Sequence, residues 1–331
     1  MGPFTYLIEE VAPSILVVDD IQSNLELMEA IFLKEGFRVY TALNADIAMG
    51  IFGQHNIDLA VLDVMMPGID GFELCSKLKE ISGKRFFPVI LLTALTDQKS
   101  KIKGLESGAD DFISKPFDPL ELTIKIKSLL KLKSLQEDLE HSENIILTLA
   151  VALEANDPYT KGHSTRVGEL SSEFVSFLGL HKKNQEDIKK AGILHDIGKI
   201  GISKSLLHKR GELTEEEREI IKRHAVIGEE ICKPLVSMKR LLSTIRHHHE
   251  RWDGNGFPDG LIGNEIPLMA RILSIIDSFD AMVSMRPYRA RKSAKEALKI
   301  MESEWHQGQW DPELLKYFIE MMTPLLTTIY K

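Results

Sequence analysis

Three short apolar runs dominate the first hundred residues, and each stops at a polar side chain. Ile15-Leu16-Val17-Val18 ends in Asp19-Asp20, Leu59-Ala60-Val61-Leu62 in Asp63, and Val89-Ile90-Leu91-Leu92 in Thr93. Runs of this kind, without polar alternation, belong to strands covered on both faces. Between them fall a helical pattern from Asn24 to Glu35 and the strand-like Arg38-Val39-Tyr40-Thr41-Ala42; a further strand-like segment, Ala109 to Ser114, leads to Lys115-Pro116. Strands alternating with helices predict a doubly wound parallel sheet of five strands, with ligands beyond the carboxyl ends of the strands. The pattern then ends, and helical periodicity dominates the second half of the chain.

Two domains follow from that change, and 331 residues are more than one core of typical size. The expected boundaries are 13–128 for the α/β domain, 129–150 for a helical linker and 151–331 for an all-α domain. A net charge of -8 argues against DNA as a partner, since binding the phosphate backbone needs a basic face. No apolar run is long enough to span a bilayer, and Met1-Gly2-Pro3-Phe4-Thr5 lacks a basic-then-apolar export signal. Cys75 and Cys232 stand far apart without CxxC spacing, which fits a reducing cytoplasm and excludes a cysteine-rich zinc module.

At the strand ends, Asp19, Asp20 and Asp63 would repel one another unless a hard cation such as Mg2+ neutralised them. One of the three then suits the role of nucleophile toward a phosphoryl donor, with Lys115 supplying a cation at the same edge. Taken singly, an aspartate is more often a helix cap or turn residue. Together with Thr93 the set resembles a response-regulator receiver, over Ser14 to about Leu130. The resemblance implies that Asp63 accepts a phosphoryl group originating from a cognate histidine kinase. It further implies that Asp19, Asp20 and Asp63 hold Mg2+, and that Lys115 pairs with the phosphoryl oxygens. Thr93 and Phe112 would form the switch, although Phe112 equally suits core packing.

Proline and glycine are absent from Leu120 to Val151, so one long helix is expected there. Leu132, Leu135, Leu139, Ile146, Leu149 and Leu153 recur at spacings of three and four, with Ser142 interrupting the seam. Two packings suit it. A homodimeric coiled coil would carry a signal between the domains, whereas a single amphipathic helix would lie along its own second domain.

Most of the 11 histidines fall after residue 160. The centre of the pattern is Leu194-His195-Asp196-Ile197-Gly198-Lys199, where adjacent ligands can address two metals and Lys199 shares a face with Asp196. An isolated His-Asp pair is commonly structural, but here His163, His224, the triplet His247-His248-His249, and Asp277 join it. Thr214-Glu215-Glu216-Glu217 reads as a capped helix start, for a helix expected to carry His224 and run to about Ile231. Imidazoles and carboxylates spread over several helices are how bundles build di-metal sites, and mixed N/O ligation suits Fe, Mn, Co, Ni or Zn. Such a centre clamps both oxygens of an in-line phosphoryl displacement and generates hydroxide near neutral pH.

Over Ala152 to Phe318 the second half resembles the HD-GYP phosphodiesterases, a branch of the HD metal-dependent phosphohydrolases. The likeness is carried by His195 to Lys199, by His248-His249-Glu250-Arg251-Trp252-Asp253-Gly254-Asn255-Gly256-Phe257-Pro258, by Asp277 to Met282 with Arg286-Pro287-Tyr288-Arg289, and by Gln309-Trp310-Asp311-Pro312. It implies hydrolysis of cyclic di-GMP to pGpG or GMP by two transition-metal ions. The implied ligands are His163, His195, Asp196, His224, His248, His249 and Asp277, with Asp196 bridging. Lys199 would grip the scissile phosphate, Arg286 and Arg289 the other, and Asp196 and Lys199 would carry the chemistry. Asp280 is given no metal role and is expected either to support a ligand or to make a helix contact, and His247 to be a bystander.

This chain departs from the family pattern at several positions. Phe257 replaces the motif tyrosine, keeping stacking but losing a hydroxyl. Tyr159 stands where some members carry a glutamate tied to a third metal, and Ser203, Arg210 and Met285 alter loops. A rival expectation is a module that binds the nucleotide or a diguanylate cyclase without turnover; another keeps the chemistry on a mixed cyclic dinucleotide.

Overall fold

The computed structural model describes residues 12–328 except 84, 95–102, 105, 156–161, 210 and 285–291. Two compact units divide the chain, Met1–Glu140 and His141–Lys331.

In the first unit the order is β1 (Ser14–Val18), α1 (Gln22–Lys34), β2 (Arg38–Ala42), α2 (Ala45–Gln54), β3 (Leu59–Asp63), α3 (Gly71–Ser82), β4 (Val89–Thr93) and β5 (Asp111–Ser114). The strands form one parallel sheet in the order β2-β1-β3-β4-β5. Every residue of β1, β3 and β4 is buried, because successive side chains enter cores on opposite faces. Leu16, Val18, Ala60, Leu62 and Leu91 join Leu74 and Leu78 of α3. Ile15, Val17, Leu59, Val61, Ile90 and Leu92 meet Leu25, Met28 and Phe32 of α1. This two-sided burial is the physical reason the strands read as unbroken apolar runs. The register Val18↔Leu62 and Asp63↔Leu92 brings Asp19, Asp63 and Thr93 to one edge.

Helix α4 runs from Pro119 to Ala155, longer at both ends than the expected linker. In the first unit its exposed apolar residues include Leu132, Leu135 and Leu139. In the second, Leu149 is exposed, while Ile146 packs against a core containing Leu194, Ile197 and Ile245. The apolar stripe therefore serves two environments, solvent-facing at 132–139 and core-facing at Ile146.

The described part of the second unit is helical: α5 (His163–Phe177), α6 (Lys182–Leu194), a 3-10 turn (Ile197–Gly201), α7 (Lys204–Leu207), α8 (Glu215–Lys222), α9 (His224–Cys232), α10 (Leu242–His247), α11 (Leu268–Val283), α12 (Ala294–Glu304) and α13 (Pro312–Thr328). One expectation is corrected. The Thr214 capping box is present, but the helix it starts stops at Lys222, and α9 begins anew at His224 across Arg223. Arg223 sits between them at φ -62° and ψ -14°, so His224 opens a helix instead of riding in the middle of one.

Helices α5 and α6 cross at glycines. A Cβ built on Gly192 would lie 2.6 Å from the Gly168 Cα, so only two residues without side chains permit this approach. It brings the start of α5 beside the end of α6. No helix among the described residues is long and apolar enough to cross a membrane.

Candidate metal centre

His163 opens α5, His195 and Asp196 follow the end of α6, His224 opens α9, His248 and His249 follow α10, and Asp277 lies in α11. Helix ends thus deliver most of these side chains, where a short backbone turn sets the direction of each. The seven assemble as two adjoining groups, Asp196–His224–His248–His249 and His163–His195–Asp277, each with its donor atoms within 4.8 Å of one another. Asp196 faces both: Oδ1 is 3.4 Å from His224 Nε2, and Oδ2 is 3.5 Å from His195 Nε2. Asp277 Oδ1 lies 3.1 Å from His163 Nε2 and 3.9 Å from His195 Nε2.

The imidazole tautomers follow from the backbone. Nδ1 of His195 donates to Gly192 O, of His224 to Ile221 O and of His248 to Ile245 O, each at 2.7 Å. A carbonyl only accepts, so the proton sits on Nδ1 and the Nε2 lone pair turns inward. His224 Nε2 and His248 Nε2 then face each other at 3.3 Å, two acceptors with no proton between them. Burial, reinforced by neighbouring imidazoles, holds His248 far below the usual histidine range and His249 at about 4; burial also lowers His224. Neutral rings with converging lone pairs beside two carboxylates are the donor set a transition-metal pair requires, and the residues fit it.

His163 differs. Burial disfavours its charge, but hydrogen bonds to Asp277 and to Asp280, the latter at 2.7 Å from Nδ1, raise it to about 10. Arg166 holds Asp280 in turn through Nε at 2.8 Å and Nη2 at 2.9 Å. The metal-free ring therefore carries a proton that a metal must displace. Below pH 10 the affinity of this group falls about tenfold per unit of added acidity, with release of about one proton on binding. Calorimetric titration in buffers of different ionisation enthalpy measures that release; heats that do not depend on the buffer would contradict it.

Lys199 pairs with Asp196 Oδ2 from the 3-10 turn, and its side chain remains 31% exposed, open to a ligand. Burial favours protonation of Asp196, but the Lys199 ammonium beside it is the largest opposing influence, and the carboxylate stays well below the usual range. The Phe257 ring lies against the His249 ring at 4.8 Å between centroids, with Lys222 Nζ 5.8 Å from its own centre. His247 points elsewhere: its Nε2 is 2.9 Å from Asp259, which Arg246 also grips through Nε and Nη2. Glu250 accepts from the Asp259 and Leu261 backbones, so this second acidic cluster clamps the loop that carries Phe257. Arg286, Arg289, Tyr159, Arg210 and Met285 lie outside the described residues.

In the sheet unit, Lys115 Nζ reaches Asp19 Oδ2 at 2.7 Å and Asp63 Oδ2 at 2.9 Å. Asp20 offers an oxygen to the same group. Burial raises Asp63 above the usual carboxylate value despite Lys115. Thr93 is buried at the end of β4. Phe112 packs half-buried against the sheet core, and a Cβ on Gly104 would lie 2.2 Å from its ring.

Two residues of the centre's surroundings escaped the sequence. Arg166 and Glu154 sit 114 and 10 positions from their partners Asp280 and Ser164, and nothing in their local patterns marks them.

Residues 148–314 match the HD domain family and residues 15–127 the response regulator receiver domain family. The chain is 35% identical to "Cyclic di-GMP phosphodiesterase" of Thermotoga maritima, covering 96% of this chain and 92% of that protein. It is 33% identical to "Cyclic di-GMP phosphodiesterase response regulator RpfG" of Xanthomonas campestris pv. campestris, over 88% and 83%. A "3'3'-cGAMP-specific phosphodiesterase 3" of Vibrio cholerae is 39% identical over 52% of this chain and 37% of its own length. With both halves matched and relatives aligned along nearly the whole length, the chain belongs to the response regulators that join a receiver domain to an HD domain.

Proposed function

We propose that this chain is a response regulator whose HD unit hydrolyses cyclic di-GMP to pGpG or GMP, under control of phosphorylation at Asp63 by a histidine kinase. The observation that carries it is the sharing of Asp196 between two ligand groups with Lys199 beside it. His163, His195 and Asp277 would hold one transition-metal ion and His224, His248 and His249 the other. When bound, the pair supplies charge neutralisation and an activated water.

The chain's own residues do the rest. Lys199, three residues past Asp196, would hold an oxygen of the scissile phosphate and offset charge that develops there. Asp280 and the three backbone carbonyls hold the rings of His163, His195, His224 and His248 in place. The Phe257 face offers a stacking surface for a guanine, with Arg286 and Arg289 assigned to the second phosphate. In the receiver unit, Asp19, Asp20 and Asp63 would hold Mg2+, with Asp63 as nucleophile, Lys115 on the phosphoryl oxygens and Thr93 and Phe112 as the switch. The exposed Leu132, Leu135 and Leu139 favour a homodimer through α4.

The test uses full-length protein purified without oxygen. Its metal content is counted, and cyclic di-GMP is supplied with Mn2+ or Fe2+, before and after acetyl phosphate and beside Asp63→Asn. Two ions per chain, linear products and a rate that responds to acetyl phosphate only when Asp63 is present are expected. A metal-loaded protein that binds the nucleotide and leaves it intact would sink the hydrolase, and faster cleavage of a mixed cyclic dinucleotide would reassign the substrate. Sedimentation of the same sample as a monomer would remove the dimer.

A further inference from the structure

One buried carboxylate in the helical unit plays no part in the reading above. Glu154, in the last turn of α4, is 7% exposed. Its Oε1 accepts from the Ser164 backbone N–H at 2.8 Å and from the Ser164 hydroxyl. Its Oε2 is buried and has no hydrogen-bond partner among the described residues. Ser164 is the second residue of α5, so the carboxylate satisfies an N–H that a helix start leaves open and lies at the positive end of its dipole. The helix has no other side-chain cap, since its N-cap is Gly162 at φ 74°. Burying a half-satisfied carboxylate costs far more than an ordinary serine or aspartate cap would, so capping alone does not account for it.

The residue before Ser164 is His163. The ring of His163 is held on one side by Asp280, and its backbone is held through Ser164 by Glu154. A second polar tie lies three turns earlier on α4, where Glu143 accepts from Lys190 Nζ of α6 at 2.5 Å. Helix α6 is the one that ends at His195. Between the two ties, Ile146, Leu147 and Ala150 pack with Ala191 and Leu194. The last turns of α4 thus bind the two helices that present His163 and His195, both in the group completed by Asp277.

We propose that Glu154 is a positioning residue for the metal held by His163, His195 and Asp277, fixing the start of α5 to the end of the long helix α4. The proposal rests on the metal-centre reading and narrows it, because it makes the two ions unequal. Loss of the carboxylate frees the α5 start and loosens one site, because the hydrogen bonds of Glu154 go to Ser164 beside His163 and, among the described residues, not to His224, His248 or His249. It also names the point at which a movement of α4 would reach the centre.

The experiment is a Co2+ titration of the full chain without oxygen, read by visible d–d absorption and by bound metal per chain. Wild type is expected to take up two ions. Glu154→Ala should keep one at wild-type affinity and bind the other about 10- to 100-fold more weakly, the range for loss of a group supporting a ligand. The absorption that disappears should match the one lost in His163→Ala. Glu154→Gln retains an oxygen for the Ser164 N–H and should restore most of the affinity, which a general loss of packing would not allow. If Glu154→Ala does not fold, Glu154→Asp, whose shorter side chain withdraws from Ser164, should give the same unequal weakening. Two wild-type sites in the folded variant, or equal weakening of both, would overturn the proposal alone. Wild-type protein that binds no Co2+ would overturn the metal-centre reading along with it.

Discussion

Asp196→Ala will fold and will lose at least about 1,000-fold in kcat/KM toward cyclic di-GMP, about 4 kcal/mol of transition-state stabilisation. Each Asp196 oxygen faces a different ligand group, so truncation deprives both of the one anion they share. It also releases Lys199 from its ion pair with Asp196, and the partly exposed side chain can turn toward solvent. Folding should survive, because Asp196 sits in a turn and the surrounding apolar core of Ala191, Leu194, Ile197 and Ile245 is untouched. The checks are circular dichroism and thermal melting for fold, metal content for the site, and product analysis for turnover. A folded variant cleaving at the wild-type rate would remove Asp196 from the mechanism.

Gly198→Ala is expected to be nearly as damaging, though it removes no ligand. A Cβ at residue 198 would lie 1.9 Å from His224 O, 2.8 Å from His224 C and 2.6 Å from Gly228 N. All three are backbone atoms, so no rotamer relieves the clash, and the 3-10 turn must move away from α9. Overpacking of this kind costs about 1–3 kcal/mol, occasionally more. A unit of this size should then melt about 2–12 °C lower. Asp196 caps the turn and Lys199 lies in its middle while α9 begins with His224, so the displacement opens the shared centre and metal affinity falls as well. Gly201→Ala is the control. Its Cβ would meet the Ile227 side chain at 3.1 Å, and a side-chain end can shift where a carbonyl cannot. Equal melting temperatures and metal affinities for Gly198→Ala and wild type would show that the close approach is not required.

The glycine in Leu194 to Lys199 illustrates how far the sequence could be read. Its neighbours announce themselves by chemistry: histidine, aspartate and lysine are residue types that can ligate metals and hold phosphate. The glycine's reason lies 26 residues away, in the carbonyl of His224, and is a matter of distance. The strands were legible because burial on both faces leaves only apolar residues to choose from. The boundary between α8 and α9 was not, since Glu215 to Cys232 keeps helical periodicity through Arg223 and no glycine or proline marks the turn. Likewise the seam of α4 reads as one stripe, yet Ile146 enters the protein's own core while Leu132, Leu135 and Leu139 face out. Spacing along a helix places residues on a common face without saying what that face meets.

By itself, then, the sequence determined the order of elements, the two-part architecture and the chemical identity of the donors, because these depend on residue type and on period. Only the tertiary structure decided which donors meet and in what protonation state. The Nδ1 protons of His195, His224 and His248 go to the carbonyls of Gly192, Ile221 and Ile245. Every residue carries such a carbonyl, so no letter of the sequence marks the ones that turn these imidazoles toward a metal.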